Sequence, residues 1–180
     1  MRALPVFALC ALALLPAARP AAAQLPDTPL PIRIKAGALL PSSGDTKNQT
    51  NDFHLAAEVD LTLPFAIPFG GNIVSLGYSE NVSGDRKLRT IPLTLGTISS
   101  PPNPASGATG NIYYGGGIGL YFLRVSGGGL PSKDGARFGG YLTIGYQTPT
   151  SLFLEAKYIT TGEVDGLKPN GFAFYIGTRL

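Results

Sequence analysis

Tryptophan is absent from this chain, and cysteine, histidine and methionine each occur once in its 180 residues. The one cysteine, Cys10, lies in the apolar N-terminal run, so no disulfide framework exists and no thiol chemistry is expected. One histidine, His54, without a second cysteine makes no recognisable zinc ligand set. Also missing is any sustained 3.6-residue apolar period with caps, so almost no helix is expected. Strong charge of either sign is lacking as well. The chain holds 14 basic and 11 acidic residues, and two of the basic ones, Arg2 and Arg19, fall within the first 23 positions. A nearly neutral remainder leaves no basic patch or stripe of the kind a nucleic-acid partner needs.

The N-terminus reads as a secretion signal. Met1-Arg2 carries a positive charge, Val6–Leu15 is an apolar run of h-region length, and Ala21-Ala22-Ala23 precedes Gln24 as a small-residue cleavage pattern. The run is shorter than the ~20 apolar residues of a spanning helix. Residues 1–23 are therefore expected to leave, 24–31 to form a short Pro-bounded leader, and 32–180 to form one domain.

Eight segments of that domain alternate with period two: Ile32–Leu40, Phe53–Leu63, Asn72–Asn81, Leu88–Ile98, Ile112–Val125, Phe138–Thr148, Leu152–Thr160 and Gly171–Leu180. Period two means a strand with two unlike faces. Each segment is about the 9–11 residues or slightly more that cross a bilayer as a tilted strand. The 24 glycines fall in turns and also inside apolar runs, where they mark bends and close approach. Connections alternate in character. Pro41–Asp52, Val82–Lys87, Ser126–Arg137 and Thr161–Asn170 are polar and charged, whereas Pro64–Gly71 and Pro149–Ser151 are short or uncharged. Ser99–Gly110 is long, uncharged and rich in Pro, Gly and Ser, and is read as a loop.

Alternation does not say which face points inward. Four features favour apolar outward, polar inward. The apolar set (Ile32, Ile34, Ala36, Ala38, Leu40; Phe53, Leu55, Ala57, Val59, Leu61, Leu63; Phe138, Leu142, Ile144) is almost free of charge, as a lipid face must be. The other set is mostly Ser, Thr and Gly, small enough for the interior of an eight-stranded barrel and too poorly charged for a wet surface. Its charges are complementary: Arg33 with Asp60 and Lys35 with Glu58 share one antiparallel register, and Glu155, Lys157 and Arg179 join them when strand eight closes on strand one. Arg33, Lys35, Glu58, Asp60, Glu155, Lys157 and Arg179 are therefore expected as a charge cluster on one wall of a lumen. Finally, Phe53, Tyr78, Tyr114, Phe122, Phe138, Tyr146, Tyr158 and Phe172 gather toward strand ends, as interfacial aromatics do.

On these residues the pattern from 32 to 180, ending in the strand Gly171-Phe-Ala-Phe-Tyr-Ile-Gly-Thr-Arg-Leu180, resembles the small eight-stranded bacterial outer-membrane barrels of the OmpA-transmembrane, OmpX and OmpW-like group. The resemblance implies an all-β, eight-stranded antiparallel up-and-down transmembrane barrel in the outer membrane. It implies outer-membrane lipid as surroundings, recognition of the C-terminal strand by the assembly machinery, and a monomer. Members of that group usually finish on Phe or Trp, whereas this chain finishes on Leu180.

The expected role is non-enzymatic: structural, surface interaction or minor solute passage, with no cofactor, metal or catalytic residue assigned. Two alternatives stand beside it. One is a lipid-modifying outer-membrane enzyme using His54 with Ser42, Ser43 or Asp52, which needs a serine within hydrogen-bond reach of the imidazole. The other is a secreted soluble barrel that encloses a small apolar ligand. Tyr114-Gly-Gly-Gly-Ile-Gly119 lacks the G-x-G-x-x-G spacing and no helix follows it, so it is not read as a phosphate loop.

Overall fold

A computed structural model describes residues 32–67, 71–101 and 110–180. The expected signal peptide, the leader and most of the 99–110 connection lie outside the described residues. Eight strands form one closed antiparallel up-and-down barrel in which each strand pairs with its sequence neighbours and the last pairs with the first. They are β1 (Ile32–Pro41), β2 (His54–Ile67), β3 (Gly71–Asn81), β4 (Arg86–Ser99), β5 (Asn111–Gly127), β6 (Leu130–Gln147), β7 (Leu152–Thr161) and β8 (Gly171–Arg179), with one short helix, α1 (Gly44–Thr50), in the first charged loop. Closure satisfies the edge groups of every strand that would otherwise face the surroundings unpaired.

The β1–β2 register is the one the charges require: Arg33 stands opposite Asp60 and Lys35 opposite Glu58. β3 and β4 pair on either side of a gap at Pro92, whose missing N–H cannot serve the ladder. Gly77 lies beneath that ring, where a Cβ would come 2.8 Å from the Pro92 Cγ.

Two expectations on extent need correction. The segment 126–137, read as a polar loop, is mostly strand. β5 runs on to Gly127 and β6 begins at Leu130, so a long hairpin turns at Gly127-Gly128-Gly129. All three glycines have positive φ (96°, 66° and 72°), which L side chains resist and a tight turn requires. β2 likewise continues past Leu63 to Ile67, with a register irregularity between Thr62 and Ile67. In both places backbone pairing outlasts the apolar alternation that reveals it.

The barrel is inside out relative to a soluble one. Leu55, Leu76, Leu120, Leu142, Ile144, Leu154, Phe174 and Ile176 point outward and are exposed, Leu142 to 69%. Lys35, Glu58 and Asp60 point inward and are 3%, 4% and 1% exposed. On β5 the outward apolar residues run from Ile112 to Phe122, a band roughly 25 Å tall at the usual strand rise and tilt. Phe53, Tyr78, Phe122, Phe138, Tyr158 and Phe172 stand at its loop end, where Tyr158 and Phe172 pack with ring centroids 4.9 Å apart. Phe65, Tyr114 and Tyr146 stand toward its turn end.

Candidate functional site

The interior is layered. Its central layer is ionic. Alternation turns Arg33 and Lys35 of β1, Glu58 and Asp60 of β2, and Glu155 and Lys157 of β7 inward, and closure of β8 onto β1 brings the three strands to one wall. The Lys35 ammonium is shared by three carboxylates: Glu155 Oε1 at 2.7 Å, Glu58 Oε1 at 2.8 Å and Asp60 Oδ2 at 3.0 Å. Lys157 closes on Glu58 from the other side. Arg33 donates to the Tyr113 hydroxyl at 2.6 Å and to Glu155 Oε2 at 3.3 Å, with Asp60 at 3.9 Å, and the Tyr113 hydroxyl in turn donates to Glu155 Oε2 at 2.9 Å. Three cations thus face three anions, and charges that would be prohibitive alone in a dry interior cancel as a network.

Aromatic rings complete this layer. The Arg33 guanidinium lies over Phe153 at 4.0 Å, and the Lys157 ammonium over Tyr141 at 4.1 Å, both close enough for cation–π attraction. The rings fit because glycines on neighbouring strands leave room. A Cβ on Gly96 would stand 2.2 Å from the Tyr141 hydroxyl, one on Gly145 2.2 Å from the Tyr113 Cζ, and one on Gly177 2.4 Å from the Phe153 Cζ. In the glycine run of β5, Gly117 also makes room, since its Cβ would stand 2.7 Å from the Tyr141 Cε1.

Toward the loops the lining turns apolar. Leu39, Leu88, Leu123, Val125 and Ile159 point inward and are buried, and Val164 and Leu167 of the β7–β8 loop pack onto them. The loop is tied down. Asp165 pairs with both Arg86 and Lys133, and Thr46 of α1 donates to Lys168 O at 2.9 Å while accepting from Lys168 N at 2.9 Å. Hydrogen bonds from Lys133 and Arg86 hold the Asp165 carboxyl below its usual range. Between the apolar and ionic layers a cavity of about 10 Å³ remains, beside Leu39, Tyr121 and Tyr175, room for about one water. At the opposite end a mouth of about 420 Å³ opens, lined by Arg33, Asn72, Asn111, Tyr113, Gln147 and Arg179. Among the described residues the interior is a cup open at the turn end and closed above by the ionic and apolar layers.

Six of the seven expected cluster residues meet in the ionic layer. The seventh, Arg179, sits opposite Arg33 on β8 but is exposed at the mouth, and among the described residues no ion pair joins it to the carboxylates. It stands at the end of its strand, where water reaches the guanidinium. His54 is buried at the start of β2, its Nε2 3.1 Å from Thr50 Oγ1, and Thr50 donates onward to Thr46 O at 2.8 Å. Ser42 instead donates to Asn170 O at 3.1 Å, and Asp52 is exposed near Lys47. The His54 imidazole is thus tied to the last residue of α1. No group of three or more His, Cys, Asp or Glu is placed to hold a metal ion among the described residues.

The inward apolar layer and its loop plug were not anticipated from the sequence, although a signal for them exists. In Leu88-Arg89-Thr90 and Leu123-Arg124-Val125 the charge moves to the outward set and the leucine to the inward set, reversing the pattern of the strand centres. Compared with family models, characterised proteins and solved structures, the chain matches none.

Proposed function

We propose that this chain is a non-enzymatic outer-membrane β-barrel of the small eight-stranded kind it resembles, secreted by way of residues 1–23 and acting through envelope structure and the contacts of its charged loops. One observation carries the reading: the exposed face of the barrel is an apolar band ~25 Å tall edged by aromatic rings, while the ion pairs at the height of that band are inside. In water such an exterior is an aggregation hazard, whereas in a bilayer it is the matching surface.

The layered interior favours a plugged barrel over a pore, since buried ionic and apolar side chains fill the section between the mouth and the loops. A soluble carrier of an apolar ligand is disfavoured because its chamber would need apolar walls, and here the central layer is ionic. A lipid-modifying enzyme built on His54 is disfavoured because the ring is fully buried against Thr50 and, among the described residues, no serine is its hydrogen-bond partner. The test has two arms. Expression in a Gram-negative host should place a chain beginning at Gln24 in the outer-membrane fraction, with heat-modifiable migration on a gel. Recovery of folded protein in the detergent-free periplasmic fraction would overturn the location. In planar bilayers the refolded barrel should give no large stable conductance steps, and salt-scaled steps from single barrels would overturn the plug.

A further inference from the structure

The outward face breaks its apolar pattern at one height on the β3–β6 side. The register sets Glu80, Arg89, Arg124 and Asp134 side by side in one row across four strands. Arg89 and Arg124 are direct cross-strand partners, an arrangement of like charges that is unfavourable by itself. Each guanidinium leans on one carboxylate at its far side, Arg89 on Glu80 at 3.4 Å and Arg124 on Asp134 at 3.5 Å, and each stays about half exposed. Lys87, in the same neighbourhood, reaches Glu80 at 3.4 Å. Three cations therefore meet two carboxylates, and among the described residues each arginine has one carboxylate partner.

Directly below this row, Ile91 and Phe122 face outward and are exposed, with Leu93 and Leu120 beneath them. Arg89, Arg124, Ile91, Phe122, Asp134 and Ala136 line a shallow outward groove of about 500 Å³. Basic groups form its top and apolar side chains its floor. The arginines stand one strand repeat above Phe122, where the outward apolar band ends. They also stand where the strand pattern inverts and leucine turns inward.

We infer that this groove binds an anionic phosphorylated lipid of the outer leaflet, with its phosphate between Arg89 and Arg124 and an acyl chain along Ile91, Phe122, Leu93 and Leu120. The inference rests on the outer-membrane reading. Guanidinium forks match phosphate oxygens bidentately, and one anion between the two arginines removes their repulsion. A free phosphate would use the top of the groove and leave the apolar floor unmatched, so the lipid is the occupant the whole groove fits.

The missing tryptophan makes the test clean. Leu120→Trp places a unique fluorophore below the groove, and Ile144→Trp places one at the far end of the band. The refolded protein in vesicles of phosphatidylcholine mixed with phosphatidylglycerol is quenched by brominated chains on one lipid or the other. At position 120 brominated phosphatidylglycerol should quench with about tenfold preference, the order expected for two basic groups beside an anionic headgroup partly offset by carboxylates. At position 144 no preference is expected. Arg89→Gln/Arg124→Gln should abolish the preference at 120, and excess inorganic phosphate should leave it in place. Both arginines are half exposed, so folding should survive and the gel shift reports it. Should the double variant fail to refold, each single variant carries the same test. Equal quenching by both lipids at 120, a preference that survives the substitutions, or its loss to inorganic phosphate overturns the inference. Absence of quenching at both positions by either lipid instead overturns the membrane location itself.

Discussion

Lys35→Met is the sharpest probe of the ionic layer. The substitution keeps the length of the side chain and removes the one charge that three carboxylates share at 2.7, 2.8 and 3.0 Å. Glu58 retains Lys157 and Glu155 retains Arg33, but Asp60 is left with only the 3.9 Å contact to Arg33. The layer goes from balanced to one negative charge in excess among side chains that are at most 9% exposed. Breaking a buried pair in this way costs about 3–5 kcal/mol. Glu155→Gln added to Lys35→Met restores the balance, so the double variant should be less destabilised than the sum of the singles by about 1–3 kcal/mol. The exposed pair Lys168–Glu163, at 3.2 Å, is the control, and Glu163→Gln there should cost less than about 1 kcal/mol. The assay is reversible urea unfolding of the refolded barrel in lipid vesicles, read by heat-modifiable gel migration. A Lys35→Met barrel within 1 kcal/mol of the parent by that assay, or strict additivity in the cycle, would refute the reasoning and mean that water enters the layer.

Val59, outward at the middle of β2, should tolerate Leu, whereas Val59→Arg should lose ~2–4 kcal/mol in the same urea assay. Gly145→Ala should destabilise by about 1–3 kcal/mol, because its Cβ would meet the Tyr113 ring at 2.2 Å and the Leu154 carbonyl oxygen at 2.6 Å, and the backbone cannot give. The β7–β8 loop should loosen in acid. The Asp165 carboxyl titrates below its ordinary value through its bonds to Lys133 and Arg86, so its contribution is complete above that ordinary value and is lost as pH falls through the depressed one. Hydrogen exchange at 162–170 should rise on that descent, and Asp165→Asn should remove the pH dependence and leave the loop fast at every pH.

The sequence by itself determined the strand count, the up-and-down order and the register of the first hairpin. Those follow from local facts. Period two identifies a strand, Gly and Pro clusters separate strands, and Arg33 and Lys35 match Asp60 and Glu58 in only one antiparallel alignment. Extents were legible only where apolar and polar residues alternate strictly. Beyond Phe138 and Phe122, in the long β5–β6 hairpin, the chain continues as strand with mixed composition, and only pairing with the partner strand reveals it. Alternation alone is symmetric, so the inward face was legible only through the lack of charge on one set and the small, charge-paired residues of the other, and in the structure Lys35, Glu58 and Asp60 turn inward. The tertiary structure decided which partners meet, Glu155 with Lys35 across 120 residues of chain and Lys157 with Glu58 across 99, and it left Arg179 exposed at the mouth. It alone seated Tyr141, Tyr113 and Phe153 on glycines of other strands. Each of these depends on distances between residues remote in sequence, and those distances exist only once β8 has paired with β1.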